Sequence, residues 1–196
     1  MAEQVRRLAV AGFRRVYFVD NSFNIPRSYS VELCQALRAM TPNVEWRCIL
    51  YPQHVDEDLV ALMAEAGCRE VALGFESGSR RVLREMNKRY SPNEVKQVSD
   101  LLRKYGIRRF GFLLLGGPGE DRRSVEESLA FATALGLDGL RITVGIRIYP
   151  GTPLARRAVA DGLIADETEL LHPSFYLAPE IDGWIQERVA SLPVPP

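Results

Sequence analysis

The residues with chemical promise stand where short apolar runs stop. In the stretch 67–79, GCREVALGFESGS, the run VALGF gives way to Glu76 and Ser77, an acid and a hydroxyl at the end of an expected strand. Asp20, Asn21, Ser22 and Asn24 follow the run VYFV in the same way. Acid, amide and hydroxyl groups at such a place can hold a ligand amine or hydroxyl, or can simply satisfy turns. After Leu115 the sequence opens into GGPGED, where Gly116 and Gly117 either let backbone approach a flat ligand or serve only a strand-to-helix turn. A helix starting near Arg122 would offer free amides at its N-terminus. The loop has neither the GxxxxGK[ST] nor the GxGxxG spacing and identifies no nucleotide by itself. Arg147 lies in the apolar run before YPGTPL; if it faces inward it needs a partner, and a carboxylate at the strand ends is the natural one.

A repeated phrase positions these residues. Gly12 begins GFRRVYFVD, Gly67 begins GCREVALGF, Gly106 begins GIRRFGFLLLG and Gly136 begins GLDGLRITVGIRIYP. Each time a helical stretch precedes the glycine, polar residues follow it and an apolar strand comes next. Alternating helices and strands, with the strands apolar on both faces, predict a parallel sheet with crossover helices. Ligands bind at the carboxyl ends of such strands. Expected strands are 16–19, 44–51, 71–75, 110–115 and 140–148; expected helices are 2–11, 28–40, 56–66, 80–86, 93–105, 124–135 and 154–161. Pro42 marks the exit of the second helix, and SPNE at 91–94 matches a capping box with proline in the first helical position. Arg47 is expected near a strand end or in a cleft.

The chain has 196 residues, enough for one well-buried domain, and is 46% hydrophobic. Residues 1–165 are expected to form the sheet and its helices, and 166–196, aromatic and rich in proline, a covering segment. Twenty-five basic residues balance 25 acidic ones, which excludes a global field for nucleic acid or an anionic membrane. No apolar run approaches the roughly 20 residues of a membrane span, and no signal-peptide core is present, so the cytoplasm is the expected location. The three cysteines, Cys34, Cys48 and Cys68, are odd in count and widely spaced, as small buried hydrophobes would be. His54 and His172 belong to no HExxH-like pattern.

Taken together, GFESGS, MNKRYSPNE, GFLLLGGPGED and GIRIYPGTPL occur in the order and spacing of the radical S-adenosylmethionine (radical SAM) enzymes. The chain most resembles the branch that commonly carries an upstream cobalamin-binding domain, over about residues 2–190. The resemblance implies an α/β fold, a partial parallel (β/α) TIM-like barrel, with SAM lying across the carboxyl ends of the strands. This chain would supply about five of them, the family's first strand being missing. By the same resemblance, Asp20 and Asn21 map to the region that meets the methionine amine, and Glu76, with Ser77 beside it, to the ribose contact. Lys88 resembles the basic residue near the methionine carboxylate, and Leu115, Gly116 and Gly117 fall where backbone borders adenine. Arg147 completes the cofactor-binding set; no residue is assigned to catalysis or to a metal.

Enzymes of this family cleave SAM reductively with a [4Fe-4S] cluster held by a CxxxCxxC loop. No such spacing exists here, and the three cysteines cannot stand in for it. The expectation is therefore a fragment or split-gene product that keeps much of the SAM pocket and is inactive alone, with the cluster on an upstream chain or domain and cobalamin allowed in the parent protein. Its strand 16–19 becomes an unpaired edge. The resemblance leaves the small-molecule substrate unspecified. A cluster-free module that binds SAM or another nucleoside, or a partner subunit without catalysis, is the alternative. A metal-independent aldolase-type barrel would need a strand lysine for a Schiff base, and none is plainly placed.

Overall fold

A computed structural model describes residues 1–40 and 44–192. Helix α1 (Ala2–Val10) leads through Gly12 to strand β1 (Arg15–Tyr17), and α2 (Arg27–Arg38) leads to β2 (Glu45–Leu50). Helix α3 (Glu57–Glu65) precedes β3 (Cys68–Glu76), α4 (Arg80–Glu85) and α5 (Pro92–Lys104) precede β4 (Arg108–Leu115), and α6 (Arg122–Ala134) precedes β5 (Gly139–Val144). The five strands pair in parallel, in the order β1-β2-β3-β4-β5, as a half-barrel. All their carboxyl ends therefore share one rim.

Local chemistry sets the helix ends. The carboxylate of Asp56 accepts from Leu59 N at 2.8 Å to start α3. Ser91 and Glu94 form the expected capping box of α5, with Pro92 in the first turn. At α6 the box is Asp121 with Ser124. Helix α2 starts one residue earlier than expected, behind Pro26 and without a side-chain cap. The exit marker Pro42 lies outside the described residues. Gly67 ends the α3 turn at φ +96°, where a Cβ would sit 2.4 Å from the Val44 carbonyl oxygen, so only glycine fits.

Alternation along the strands divides the sheet into two unlike faces. Trp46, Cys48, Leu50, Val71, Leu73, Phe75, Leu113 and Leu115 are buried beneath the helices. Each fully buried side chain of this kind contributes roughly 1.5–3 kcal/mol. The residues between them, Arg47, Glu70, Phe110, Phe112, Arg141 and Thr143, lie exposed or half-buried on the concave face. Strands apolar on both faces were the expectation; the concave face instead mixes charge with aromatic rings. Strand β1 pairs only with β2 among the described residues, with Tyr17 and Val19 exposed beside its free edge. Arg47 is exposed and paired with Glu70.

The expected continuous strand 140–148 breaks. Gly145 turns at φ +84°, and the chain continues as β6 (Ile146–Arg147), which leaves the sheet to pair antiparallel with β7 (Phe175–Tyr176). Helix α7 (Pro153–Ala160) lies between them, and α8 (Ile185–Ala190) follows. Tyr176, Ala178, Ile181 and Ile185 are buried, and Ala178 N donates to Gly116 O at 3.0 Å, which ties this segment to the rim. Among the described residues no helix is long and apolar enough to cross a membrane.

Candidate functional site

The rim is most constructed where β3 ends. The register with β4 shifts between Gly74 and Glu76, and Glu76 itself is left-handed at φ +58°. Such a backbone costs a residue with a Cβ roughly 1–2 kcal/mol, and strain of this kind gathers at ligand clamps. The bulge delivers the Glu76 carboxylate to Lys88, whose Nζ donates to Oε1 at 3.2 Å. Both side chains keep part of their surface in solvent, 23% for Glu76 and 29% for Lys88. Lys88 is fixed in turn, because its backbone N bonds the Leu83 carbonyl at the end of α4 at 2.8 Å. Behind the pair, Tyr90 donates its hydroxyl to Gly74 O at 3.2 Å and packs edge-on against Tyr51, with ring centroids 5.1 Å apart. Burial, reinforced by the nearby charge of Glu76, pushes the Tyr90 phenol well above its ordinary value.

Next along the rim stands the glycine turn after β4, and it is knotted to itself. One carboxylate oxygen of Glu120 accepts from Gly116 N at 2.5 Å and from Gly117 N at 2.9 Å. Glu120 N closes the loop onto Gly117 O at 3.1 Å. The residue is 1% exposed, and its other oxygen, Oε1, has no hydrogen-bond partner among the described residues. Desolvation raises its pKa above the usual carboxylate range in spite of the two amides. The space a Gly117 side chain would fill is taken by Met86 and Ile146, and that of Gly116 by Leu177 and the Gly145 backbone. Packing of Met86, at the end of α4, against this turn brings it alongside Lys88 and Glu76.

Glu76, Lys88, Gly116 and Gly117 thus gather on one side of the molecule. Asp20 and Asn21 sit on the same rim but two strands away, exposed after β1. Ser77 does not reach the rim: it is fully buried, with its hydroxyl 2.9 Å from that of Ser128 on α6. The Leu115 side chain points into the core, and its carbonyl accepts from Gly145 N at 2.8 Å. For Arg147 the expected carboxylate is not found among the described residues; the guanidinium is exposed and lies over the Tyr149 ring, 5.0 Å from its centroid. The break at Gly145, which turns β6 out of the sheet, accounts for that.

Sequence reasoning passed over Tyr51, Tyr90 and Glu120 as parts of this region, and Asn24, grouped with Asp20 and Asn21 as a ligand or turn residue, serves the turn. Asn24 is 1% exposed and bonds the Tyr51 and Gln53 carbonyls at 3.0 and 2.7 Å, while its own oxygen accepts from Tyr51 N at 2.9 Å. For Glu120 a signal existed, an acid placed to fold back on a double glycine.

The rim offers acceptors for hydroxyls, the Lys88 cation and close-packed backbone, a set suited to a polar, zwitterionic ligand with a flat end. Cys34 of α2, Cys48 of β2 and Cys68 of β3 all belong to the hydrophobic core. All three are buried and free; burial pushes Cys34 up to about 12 and Cys48 well above its usual range. Among the described residues no group of three or more His, Cys, Asp or Glu could hold a metal ion.

An uncharacterized methyltransferase of Pyrococcus horikoshii is 27% identical over 153 residues, 78% of this chain and 33% of its own length. A cytidylyl-2-hydroxyethylphosphonate methyltransferase of Streptomyces wedmorensis is 29% identical over 130 residues, 62% of this chain and 24% of its own. The chain therefore spans a third or less of these relatives' length. In fold it is similar to the radical SAM methyltransferase TsrM of Kitasatospora setae, solved with cobalamin and a [4Fe-4S] cluster bound. The TM-score is 0.82 at 20% identity, covering 97% of this chain and 46% of that one. The profile of the radical SAM superfamily matches residues 1–132, well over half of the chain. With that match and the half-barrel beneath it, the chain belongs to the radical SAM superfamily.

Proposed function

We propose that this chain is the SAM-holding part of a radical SAM enzyme related to the cobalamin-dependent methyltransferases. The observation that carries the reading is the Glu76–Lys88 pair, held at the rim by a left-handed, bulged strand end beside the Gly116–Gly117 turn. Lys88 would exchange Glu76 for the methionine carboxylate of SAM, and the released Glu76 would accept from the ribose hydroxyls. Asp20 and Asn21 are placed to receive the methionine amine. Gly116 and Gly117 are buried under Leu177, Met86 and Ile146 with their amides engaged by Glu120, so they would shape the turn behind adenine and give it no amide hydrogen bonds. Ser77 and Leu115 leave the contact set because their side chains are buried. Bound SAM supplies an activated sulfonium; this chain's residues orient it and exclude water from the adenine side.

With Cys34, Cys48 and Cys68 buried in the core at spacings unlike CxxxCxxC, the chain alone would bind SAM without cleaving it. In this reading segment 1–165 would form the cradle and 166–196 its cover, with Ala178 N bonded to Gly116 O; residues 193–196 lie outside the described ones. The second reading, a SAM or nucleoside module without chemistry, draws on the same buried cysteines.

Calorimetric titration with SAM tests the binding claim. Saturable binding is expected, weakened roughly tenfold in Glu76→Gln and in Lys88→Ala, in keeping with a charge-assisted contact of about 1.5 kcal/mol. Absence of binding, or binding as tight as wild type in both variants, sinks it. Reconstitution with iron and sulfide that gave a stable cluster and 5′-deoxyadenosine from this chain alone would overturn the claim about the cysteines.

A further inference from the structure

Toward the amino ends of β2, β3 and β4, away from the rim around Glu76, the concave face carries a ladder of charge that the proposed SAM site does not use. Tyr17, Arg47, Glu70 and Arg108 lie in register across four adjacent strands. Arg47 stacks over the Tyr17 ring at 4.4 Å, and Glu70 receives both Arg47 at 3.2 Å and Arg108 at 2.9 Å. One step lower, Glu45 receives Arg15 at 3.4 Å and Arg69 at 3.8 Å. The register shift opposite Trp46 and Arg47 lets Arg69 and Glu70, consecutive in sequence, serve the two groups together. These residues line an open cavity of about 420 Å³.

Ordinary surface pairs contribute little and need no explanation. This set differs in stoichiometry and in layout. Each glutamate faces two arginines, so each group is left with one guanidinium charge in excess, and the stack on Tyr17 and the double clamp on Glu70 hold those charges in place. A single phosphate would need the excess focused at one point. Two separate single charges, a strand apart and two residues apart along the strand, stand roughly 8 Å from each other and suit two carboxylates about 7 Å apart. That is the spacing of side chains i and i+2 on one face of an extended peptide.

We propose that this floor cavity is a docking site for an extended acidic peptide segment that presents carboxylates at alternate positions. Charge complementarity selects the segment, and the guanidinium forks take its carboxylates side-on.

The test is fluorescence anisotropy of the full chain with a labelled peptide alternating Glu and Thr, and with its Gln-for-Glu counterpart. The acidic peptide should bind at least tenfold more tightly. Arg15→Ala and Arg108→Ala should each weaken it severalfold, and added salt should weaken it as well. Glu45→Gln, which removes a competing carboxylate, should tighten it about twofold, a gain that misfolding cannot imitate. Saturating SAM should leave it unchanged, which separates this claim from the one about the rim. Equal binding of the two peptides, indifference to all three substitutions, or displacement by millimolar inorganic phosphate would overturn the proposal.

Discussion

The two ends of one sheet hold their carboxylates in opposite ways. At the rim, Glu120 is buried and grips two backbone amides, and Glu76 has one cation and a left-handed backbone. At the floor, Glu45 and Glu70 each face two arginines through side chains alone, most of them exposed. A carboxylate anchored to backbone fixes shape; a carboxylate anchored to flexible guanidiniums fixes charge. Substitutions at the rim should therefore change folding and ligand geometry together, and substitutions at the floor should change electrostatics with little effect on the fold.

The largest effect that would sharpen this contrast belongs to Gly116→Ala. The position has φ +99°, and a Cβ would meet Leu177 at 2.5 Å and the Gly145 nitrogen at 3.1 Å, so thermal unfolding should show a loss of about 3 kcal/mol. Glu120→Ala comes next. It strands two buried amides and should cost about 2 kcal/mol in denaturant titrations. Its companion Glu120→Gln keeps an acceptor and cannot titrate. Burial raises the Glu120 pKa in the folded chain, so the folded state binds that proton more tightly than the unfolded one. The stability this contributes is fully present below the ordinary carboxylate range and is lost as pH rises through the raised value; Glu120→Gln should flatten that slope. If wild type and Glu120→Gln share one pH profile, the carboxyl is not desolvated as described.

Smaller and opposite in sign is Glu76→Gly. Relief of the left-handed strain should stabilise the chain by about 1 kcal/mol while SAM affinity falls roughly tenfold. Stability and affinity falling together would mean that Glu76 serves the fold alone. The smallest effect is at the floor: Arg15→Ala, whose side chain is 87% exposed, should leave the melting temperature unmoved in calorimetry. A clear drop there would erase the contrast.

Much of this was legible because it depends on local rules. The helix-glycine-strand phrase precedes four of the five parallel strands, β2 being the exception, and Ser91-Pro92-Asn93-Glu94 capped a helix as its spacing requires. The strand ends were harder. Whether a residue there faces the rim or the core turns on one bulge, because a one-residue slip reverses every side chain. The shift at Gly74–Glu76 sends Glu76 outward while Ser77, its neighbour, goes to Ser128. Gly145 likewise diverts Arg147 to Tyr149, a partner no spacing rule suggests. The floor ladder escaped notice for a related reason: Arg15, Glu45, Arg69 and Arg108 read singly as solvated charges, and only register joins them.

The amide of Asn24 has a mechanical consequence. By bonding the backbone of Tyr51 at both its nitrogen and its carbonyl, it rivets the turn beyond the first strand to the tip of the second. Tyr51 leans on Tyr90, and Tyr90 on the strand that carries Glu76. A molecule that nudged the turn at Asn24 would accordingly tug, through one continuous brace of amide and rings, on the acid that waits two strands along.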